Sequence, residues 1–237
     1  MRIQDGCLER VENTDIIDGV FVIPDQVQEI PDWAFQKCRS PRKIVFSARV
    51  SYSAGFYWPF AHCRQLERIE VDERNPVFFA EDGILFDRDK TNLFCCPMKW
   101  SGSRCRIPDT VTLIDHCAFQ GCFALTEVVI PPAVRFIGDW AFDGCANLRQ
   151  IQLPVGLDRL GDCAFRNCTS LSEVVVPNGV KFIGMEAFKG CGSLERISLP
   201  STVRWMGQDA FVGCTSLGQD SRSAIEPIQA KMEEFYV

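Results

Sequence analysis

Apolar positions recur in this chain with a fixed period of 23 residues between Cys122 and Cys214. Each unit places Leu three residues after its cysteine, Val or Ile six after, another aliphatic residue eight after, and then proline. It closes with an aliphatic-Gly step and an Ala-Phe pair before the next cysteine. The cysteines that mark the period are Cys122, Cys145, Cys168, Cys191 and Cys214. A unit this short cannot bury its own apolar face, so the period predicts a solenoid of stacked coils.

The same pattern, less regular, extends toward the N-terminus, so the solenoid is expected to span residues 1–217. Within it, residues 1–20 are expected to cover the open end of the core as an N-terminal cap. The coil from Cys38 to Cys63 is the most degenerate, with Trp58-Pro59-Phe60 in place of Ala-Phe. Residues 218–237 are predicted to form a capping helix over the last coil. Its apolar residues have roughly helical spacing: Ile225, Ile228, Met232 and Phe235.

A longer coil lies between Cys63 and Cys122, where 59 residues separate the two cysteines instead of two periods. The additional residues contain short β-type runs, two of which are separated by Glu81-Asp82-Gly83. Asp-Gly between such runs is a strong hairpin signal. We therefore predict a β-meander insertion over 72–106 that buds from the solenoid edge and rejoins it at Ile107-Pro108.

Charge and hydropathy exclude some classes of partner. The net charge of −6 and the pI of about 5.1 argue against nucleic acid. No stretch approaches the roughly 20 apolar residues that cross a bilayer, so no membrane insertion is expected. The segment from Met1 to Asn13 has no long apolar run, so a cytoplasmic location is expected for the chain as written. A cell-surface or secreted protein trimmed of its signal is the alternative.

Seven of the 13 cysteines occupy the same place in successive coils. Stacked coils would hold them about 4.8 Å apart, whereas a disulfide needs Cβ atoms roughly 3.8 Å apart. We therefore expect buried thiols that fill the core, with metal or redox chemistry as the alternative. These residues are Cys38, Cys63, Cys122, Cys145, Cys168, Cys191 and Cys214.

Catalytic, cofactor and metal sites are not predicted. The only two histidines, His62 and His116, adjoin Cys63 and Cys117, and neither has an acid at a fixed repeat offset. A Cys-His nucleophile needs partners that converge in a pocket, whereas a regular solenoid offers a smooth surface. The chain also lacks the clustered ligands of a zinc site and the glycine and glutamate of a calcium loop. We therefore expect no enzyme.

Residues five and seven after each cysteine are predicted to form two columns on the exposed face of the strands. The first column mixes charge signs, which suits a patterned protein or glycan surface better than a polyanion. The alternative is that these residues are polar only because the exposed face of a sheet contacts solvent. The predicted partner-binding residues are Lys43, Arg68, Glu70, Glu127, Gln150, Gln152, Glu173 and Arg196, and the apolar or small members of the second column are Val45, Val129, Val175 and Ser198.

A third column, fourteen residues after the cysteine, consists of Phe136, Arg159, Phe182 and Trp205. Aromatic side chains interleaved with arginine are typical of interface hot spots, so this column is a candidate homo-oligomer contact. Lateral packing between coils is the alternative. A further column at the start of the Ala-Phe turn is predicted to be structural: Trp33, Trp58 and Trp140.

The unit Leu-x-x-Val-x-Ile-Pro-x-x-Val-x-x-Ile-Gly-x-x-Ala-Phe-x-x-Cys-x-x resembles the BspA-type leucine-rich repeat. The long coil, with Asn75-Pro76 and Asp82-Gly83-Ile84-Leu85-Phe86, looks like the hairpin insertion of that family. The resemblance covers about residues 17–217. It implies an α/β repeat: a right-handed, horseshoe-like solenoid with short parallel strands and one β-hairpin insertion.

The resemblance also implies a non-enzymatic function. Members of the family are often surface or adhesion proteins of bacteria or protists that bind proteins or cells. A protein- or glycan-binding module that uses the solenoid sheet face is therefore expected. The alternative is a structural, self-assembling repeat protein with an aromatic homo-oligomer contact.

Overall fold

The computed structural model describes residues 1–51, 59–60 and 62–233, with side chains as far as residue 229. The chain is a β-solenoid of about eight turns with little helix. Each regular coil contains a front strand and a back strand. In the described residues, the α component of the expected α/β repeat is confined to helix α1 (Gln219–Glu233). Turns connect the strands within the coils, because a proline after each regular front strand and a glycine after each back strand interrupt helix formation.

The front strands form two parallel sheets. In the C-terminal front sheet, Glu127 lies beside Gln150, Gln150 beside Glu173, and Glu173 beside Arg196, so residues 23 apart are neighbours. This confirms the predicted parallel strands. The N-terminal front sheet contains β3 (Val20–Val22), β4 (Lys43–Phe46) and β5 (Arg68–Val71). The C-terminal front sheet contains β9 (Arg104–Arg106), β11 (Glu127–Val129), β13 (Gln150–Ile151), β15 (Glu173–Val175) and β17 (Arg196–Ser198).

The back strands form one sheet on the other side of the core. Six of its eight strands are parallel neighbours: β8 (Asn92–Cys95), β10 (Leu113–Ile114), β12 (Phe136–Ile137), β14 (Arg159–Leu160), β16 (Phe182–Ile183) and β18 (Trp205–Met206). The other two, β6 (Phe78–Glu81) and β7 (Ile84–Asp87), continue the sheet in antiparallel order beyond β8. Asp82 and Gly83 connect them, both with positive φ, as a type I′ hairpin turn requires.

The meander differs from the predicted insertion in extent and position. Its antiparallel strands run from residue 78 to residue 95, and β8 already pairs in parallel with β10, so the solenoid resumes at Asn92 rather than Ile107. It also does not bud from the edge. Ile84 and Phe86 belong to the C-terminal part of the core and Leu85 to the N-terminal part. Strand β7 therefore lies between two apolar clusters, which explains why it is apolar on both faces.

Aromatic and thiol ladders fill the C-terminal core. The five phenylalanines of the Ala-Phe pairs stack with ring centroids 4.9 to 5.4 Å apart. The buried Cys145 thiol donates to the carbonyl oxygen of Phe119 at 3.1 Å, and the next three ladder cysteines repeat this bond. All thirteen cysteines are free, which confirms the predicted buried and unbridged ladder. Burial raises the pKa of the Cys145 and Cys168 thiols, which keeps them protonated.

The N-terminal segment covers the first coil. Strands β1 (Arg2–Gln4) and β2 (Cys7–Arg10) form a hairpin, followed by a 3₁₀ turn over Asn13–Asp15. Leu8 and Val11 are fully buried in the N-terminal core. Their N–H groups donate to the carbonyl oxygens of Glu29 and Ala34 in the first coil, at 2.9 and 2.8 Å.

Helix α1 lies against the last coil. Ile225 is buried in the C-terminal core. The hydroxyl of Ser221 accepts a hydrogen bond from the Ile197 N–H at 3.0 Å, so the helix satisfies a donor on the outer edge of β17. The last four residues of the predicted capping segment lie outside the described residues. No helix in the described part of the chain is long and apolar enough to cross a bilayer.

Candidate binding surface

The predicted column residues lie side by side on the two front sheets. Lys43 and Arg68 are neighbours on the N-terminal front sheet. On the C-terminal front sheet the first column runs in order through Glu127, Gln150, Glu173 and Arg196. The residues between the two columns face inward and are buried, as strand alternation requires: Val128, Ile151, Val174 and Ile197. The columns form two groups because β7 separates the two cores.

Two front residues were missed by the sequence prediction. Arg104 and Arg106 of β9 stand in register with Glu127 and Val129 and extend both columns by one coil. Their coil carries Lys99 where regular coils carry the marker cysteine, so the period appeared to be interrupted. Counting 23 residues back from Glu127 would have found them.

Charges on the front sheets are paired within each sheet. Arg104 lies 3.0 Å from Glu127, and Arg196 lies 2.8 Å from Glu173. The hydrogen bond from Arg196 lowers the pKa of the Glu173 carboxyl. The mixed signs of the first column therefore reflect pairing between neighbouring coils.

On the N-terminal front sheet, the Glu70 carboxylate lies 3.2 Å from both the Lys43 ammonium and the Arg68 guanidinium. Glu70 thus joins two cations of adjacent coils. This cluster uses all three predicted partner-binding residues of the N-terminal front sheet.

A groove of about 1060 Å³ crosses the C-terminal front sheet. Its centre contains the amides of Gln150 and Gln152, with Asn178 beyond them. Two valines are open to solvent there: Val155 is 78% exposed and Val175 is 59% exposed. An exposed apolar surface framed by polar groups is a feature of interaction sites.

The predicted aromatic column lies in register on the back sheet. Phe182 is 48% exposed and Arg159 is exposed, while Phe136 and Trp205 are half-buried. The Arg159 guanidinium lies 5.4 Å from the centre of the Phe136 ring, within cation–π distance. Side chains of this column therefore pack on each other along the sheet and still reach solvent. We call these four residues the aromatic stripe.

The tryptophans at the start of the Ala-Phe turn differ in solvent exposure. Trp33 is 57% exposed and Trp140 is half-buried. Trp58 lies outside the described residues.

His116 and Cys117 each contact Asp139 of the following coil. The His116 Nδ1 accepts the Asp139 N–H at 3.0 Å, and the Cys117 thiol lies 3.8 Å from the Asp139 carbonyl oxygen. Burial raises the pKa of the Cys117 thiol, which opposes thiolate formation. His62 is exposed, next to the buried Cys63. The described part of the chain holds no cluster of three or more His, Cys, Asp or Glu residues suited to a metal ion.

Several solved structures are similar to this chain. A leucine-rich cell surface protein from Faecalibacterium prausnitzii A2-165 is 30% identical, with a TM-score of 0.76 over 82% of this chain and 51% of that one. The present chain thus spans about half the length of that protein. No curated protein matches the sequence.

Two further structures share the fold alone. A leucine-rich repeat protein from Eubacterium ventriosum ATCC 27560 is 23% identical, with a TM-score of 0.55 over 84% of this chain and 65% of that one. The pneumococcal vaccine antigen PcpA is 17% identical, with a TM-score of 0.59 over 90% of this chain and 70% of that one.

The family model for the BspA type leucine rich repeat region matches the chain in six copies, over residues 5–79 and 92–218. The unmatched segment between these ranges contains the turn between β6 and β7. The match therefore covers the coils on both sides of the antiparallel meander. This chain belongs to the BspA-type leucine-rich repeat family.

Proposed function

We propose that this protein is a non-enzymatic binding module whose C-terminal front sheet recognises a protein or glycan partner. The observation that carries the proposal is the groove across β11, β13, β15 and β17, where two exposed valines adjoin uncharged polar side chains. Residues that build the core repeat from coil to coil, whereas the outward-facing groove residues differ between neighbouring coils. Specificity therefore belongs to the groove positions.

Rigidity supports this proposal. Neighbouring coils, whose equivalent residues are 23 apart in sequence, are joined by backbone hydrogen bonds on both the front and back sheets. A surface that is already ordered loses little conformational entropy on binding. The module can therefore present its groove without rearrangement.

A cell-surface location is also part of the proposal. The protein from F. prausnitzii is described as a cell surface protein, and the present chain covers about half of it. This similarity favours the cell-surface alternative over the cytoplasmic one. Protease treatment of intact cells would degrade a surface-exposed protein and leave a cytoplasmic one intact.

The binding surface is tested by placing bulk and charge in the groove. Gln152→Arg with Ser198→Arg changes two exposed groove residues. Gln208→Arg with Ser216→Arg adds the same charge at exposed positions away from it. In affinity capture from a native lysate, the groove variant should lose the partner and the control should retain it. Equal capture by the two variants would contradict the proposal.

A second candidate function, self-assembly, is favoured by the exposure of the aromatic stripe. Phe182 is open to solvent beside Trp205 and Arg159, residues of the types that dominate interfaces. Light scattering should then detect dimers or larger species, and Phe182→Ser should reduce them. A monomer at high concentration would exclude this function.

A further inference from the structure

The charged residues of the C-terminal front sheet neutralise one another at the two ends of the groove. Arg104 pairs with Glu127 at one end, and Arg196 pairs with Glu173 at the other. Arg106 lies 3.6 Å from Asp109. Three guanidinium groups thus face three carboxylates, and their charges sum to zero. A charged partner would have to displace these pairs, and it would meet little net field to attract it.

The Glu127 and Glu173 carboxylates of these pairs line the groove, and its other polar side chains are uncharged. The side-chain amides of Gln150 and Gln152 make no hydrogen bond within the described part of the chain, so both remain available to a partner. Val129 and Val175 flank Gln152 in the second column, and Val155 also lines the groove. Neutral hydrogen-bonding groups therefore alternate with aliphatic surface.

Side chains in the groove favour a polypeptide over a glycan. No aromatic residue lines it among the described residues. Sugar rings commonly bind by packing their C–H faces on aromatic rings, and this surface offers none. Contact with aliphatic side chains instead stabilises binding at the exposed valines, because it removes their apolar surface from water.

The spacing of the valines gives the distance that a bound segment would have to span. Val129 and Val175 occupy equivalent positions two coils apart, which is about 9.6 Å at the usual strand separation. Three residues of an extended, polyproline-like chain span about 9.3 Å and return a side chain to the same face. A segment that runs along the stack of coils can therefore cover both valines and direct the intervening polar groups to Gln152.

We infer that the centre of the C-terminal front sheet binds an uncharged, extended polypeptide segment with aliphatic side chains three residues apart. This inference rests on the proposed function and names its class of partner. The paired charges at the ends of the groove frame this segment and disfavour charged competitors.

The test uses a phage-displayed library of random peptides of about twelve residues, long enough to cross the five strands. Panned against the full chain, the library should yield uncharged peptides with aliphatic residues three apart. Their affinity should be nearly constant between about 50 and about 500 mM NaCl, because no ion pair forms on binding. It should fall at least about tenfold in Val155→Glu/Val175→Glu.

A matched control separates the groove from the rest of the surface. Met185→Glu/Val212→Glu changes two exposed apolar residues elsewhere and should leave peptide affinity unchanged. Enrichment of charged peptides, or of none, would overturn the inference. So would binding of neutral oligosaccharides that Val155→Glu/Val175→Glu abolishes.

The outcome also distinguishes this inference from the proposed function. If the groove variant Gln152→Arg/Ser198→Arg loses its partner from lysate but the panned peptides are charged, the inference fails and the binding function stands. If that variant retains its partner and no peptide is enriched, both fail.

Discussion

Arg166 donates two hydrogen bonds to the carboxylate of Asp143, which lies one coil earlier at the same position of the repeat, at 2.9 and 3.0 Å. Asp143 is buried, and the Gln120 amide from the coil before it donates a further bond at 3.2 Å. Three successive coils are therefore joined laterally by one carboxylate.

Removing the cation of this pair should destabilise the solenoid. Arg166→Met leaves the Asp143 carboxylate buried without its main partner, and we expect a loss of about 2 kcal/mol in the free energy of unfolding. This is below the ~3–5 kcal/mol of a fully buried pair, because Arg166 is partly exposed. Urea denaturation measures the loss. Arg106→Met breaks an exposed pair and should cost less than about 1 kcal/mol; equal losses in the two variants would contradict the account.

Close approach of coils makes two glycines of neighbouring coils respond differently to substitution. A methyl group at Gly184 would overlap backbone atoms of Gly161 and Asp162 in the preceding coil. At Gly192 the nearest neighbour of such a group is the Thr215 hydroxyl, at 4.0 Å. Gly184→Ala should cost at least about 2 kcal/mol, and Gly192→Ala should stay within about 0.5 kcal/mol of the parent. Thermal or urea unfolding of both variants checks this, and a Gly184→Ala variant as stable as Gly192→Ala would contradict it.

The regular coils were predictable because one period determines both register and burial. Once Cys145 is placed beside Cys122, every neighbour 23 residues away follows, including Gln150 beside Glu127. Arg104 was nevertheless missed as the neighbour of Glu127, since Lys99 replaces the cysteine that would have marked that coil. Side-chain pairing also depends on rotamers, which a column of residue types does not specify.

Strand β7 shows a second limit of the pattern. Its run Ile84-Leu85-Phe86 predicts a strand, but an apolar run has no preferred face. The structure uses both faces, with Leu85 in one cluster and its two neighbours in the other. A sequence pattern cannot distinguish this arrangement from a hairpin that packs on the outside.

The thiol ladder should make the fold sensitive to alkali. Burial raises the pKa of the ladder thiols Cys145 and Cys168, and it raises the pKa of Cys105, which lies outside the ladder, to about 12. In the unfolded chain a thiol loses its proton near pH 8.5, so above that pH the unfolded state binds fewer protons than the folded state. Stability is thus fully present below about pH 8.5 and falls as the pH rises toward the folded-state values. Each thiol whose pKa is raised in this way contributes about 1.4 kcal/mol per pH unit.

Urea unfolding between about pH 8 and about pH 11 measures this slope. Cys145→Ala/Cys168→Ala should reduce it by about 3 kcal/mol per pH unit, because two of the contributing thiols are removed. An unchanged slope in that variant would show that other groups control the alkaline transition.

Asn75 joins the coil before the meander to the coil that contains it. Its amide donates to the carbonyl oxygens of Ser47 and Val50, at 2.8 and 2.9 Å, and its carbonyl accepts the N–H groups of Val77 and Phe78. Asn75→Ala leaves these backbone groups without partners in a buried site, so a loss of at least about 3 kcal/mol is expected.

An exposed asparagine provides the comparison for Asn75. Asn147 makes one hydrogen bond, to the Phe123 carbonyl oxygen at 2.7 Å. Asn147→Ala should cost less than about 1 kcal/mol in the same denaturation experiment. Similar costs for the two alanine variants would mean that the Asn75 network is not what joins these coils.

In the proposed function, the groove of the C-terminal front sheet is the binding surface. Hydrogen–deuterium exchange of the full chain, with and without a saturating peptide from the library, locates the binding surface. We expect slower exchange on binding in Gln150–Val155 and Glu173–Asn178, with no change along the aromatic stripe. Protection confined to Phe136, Phe182 and Trp205, with the groove unaffected, would contradict it.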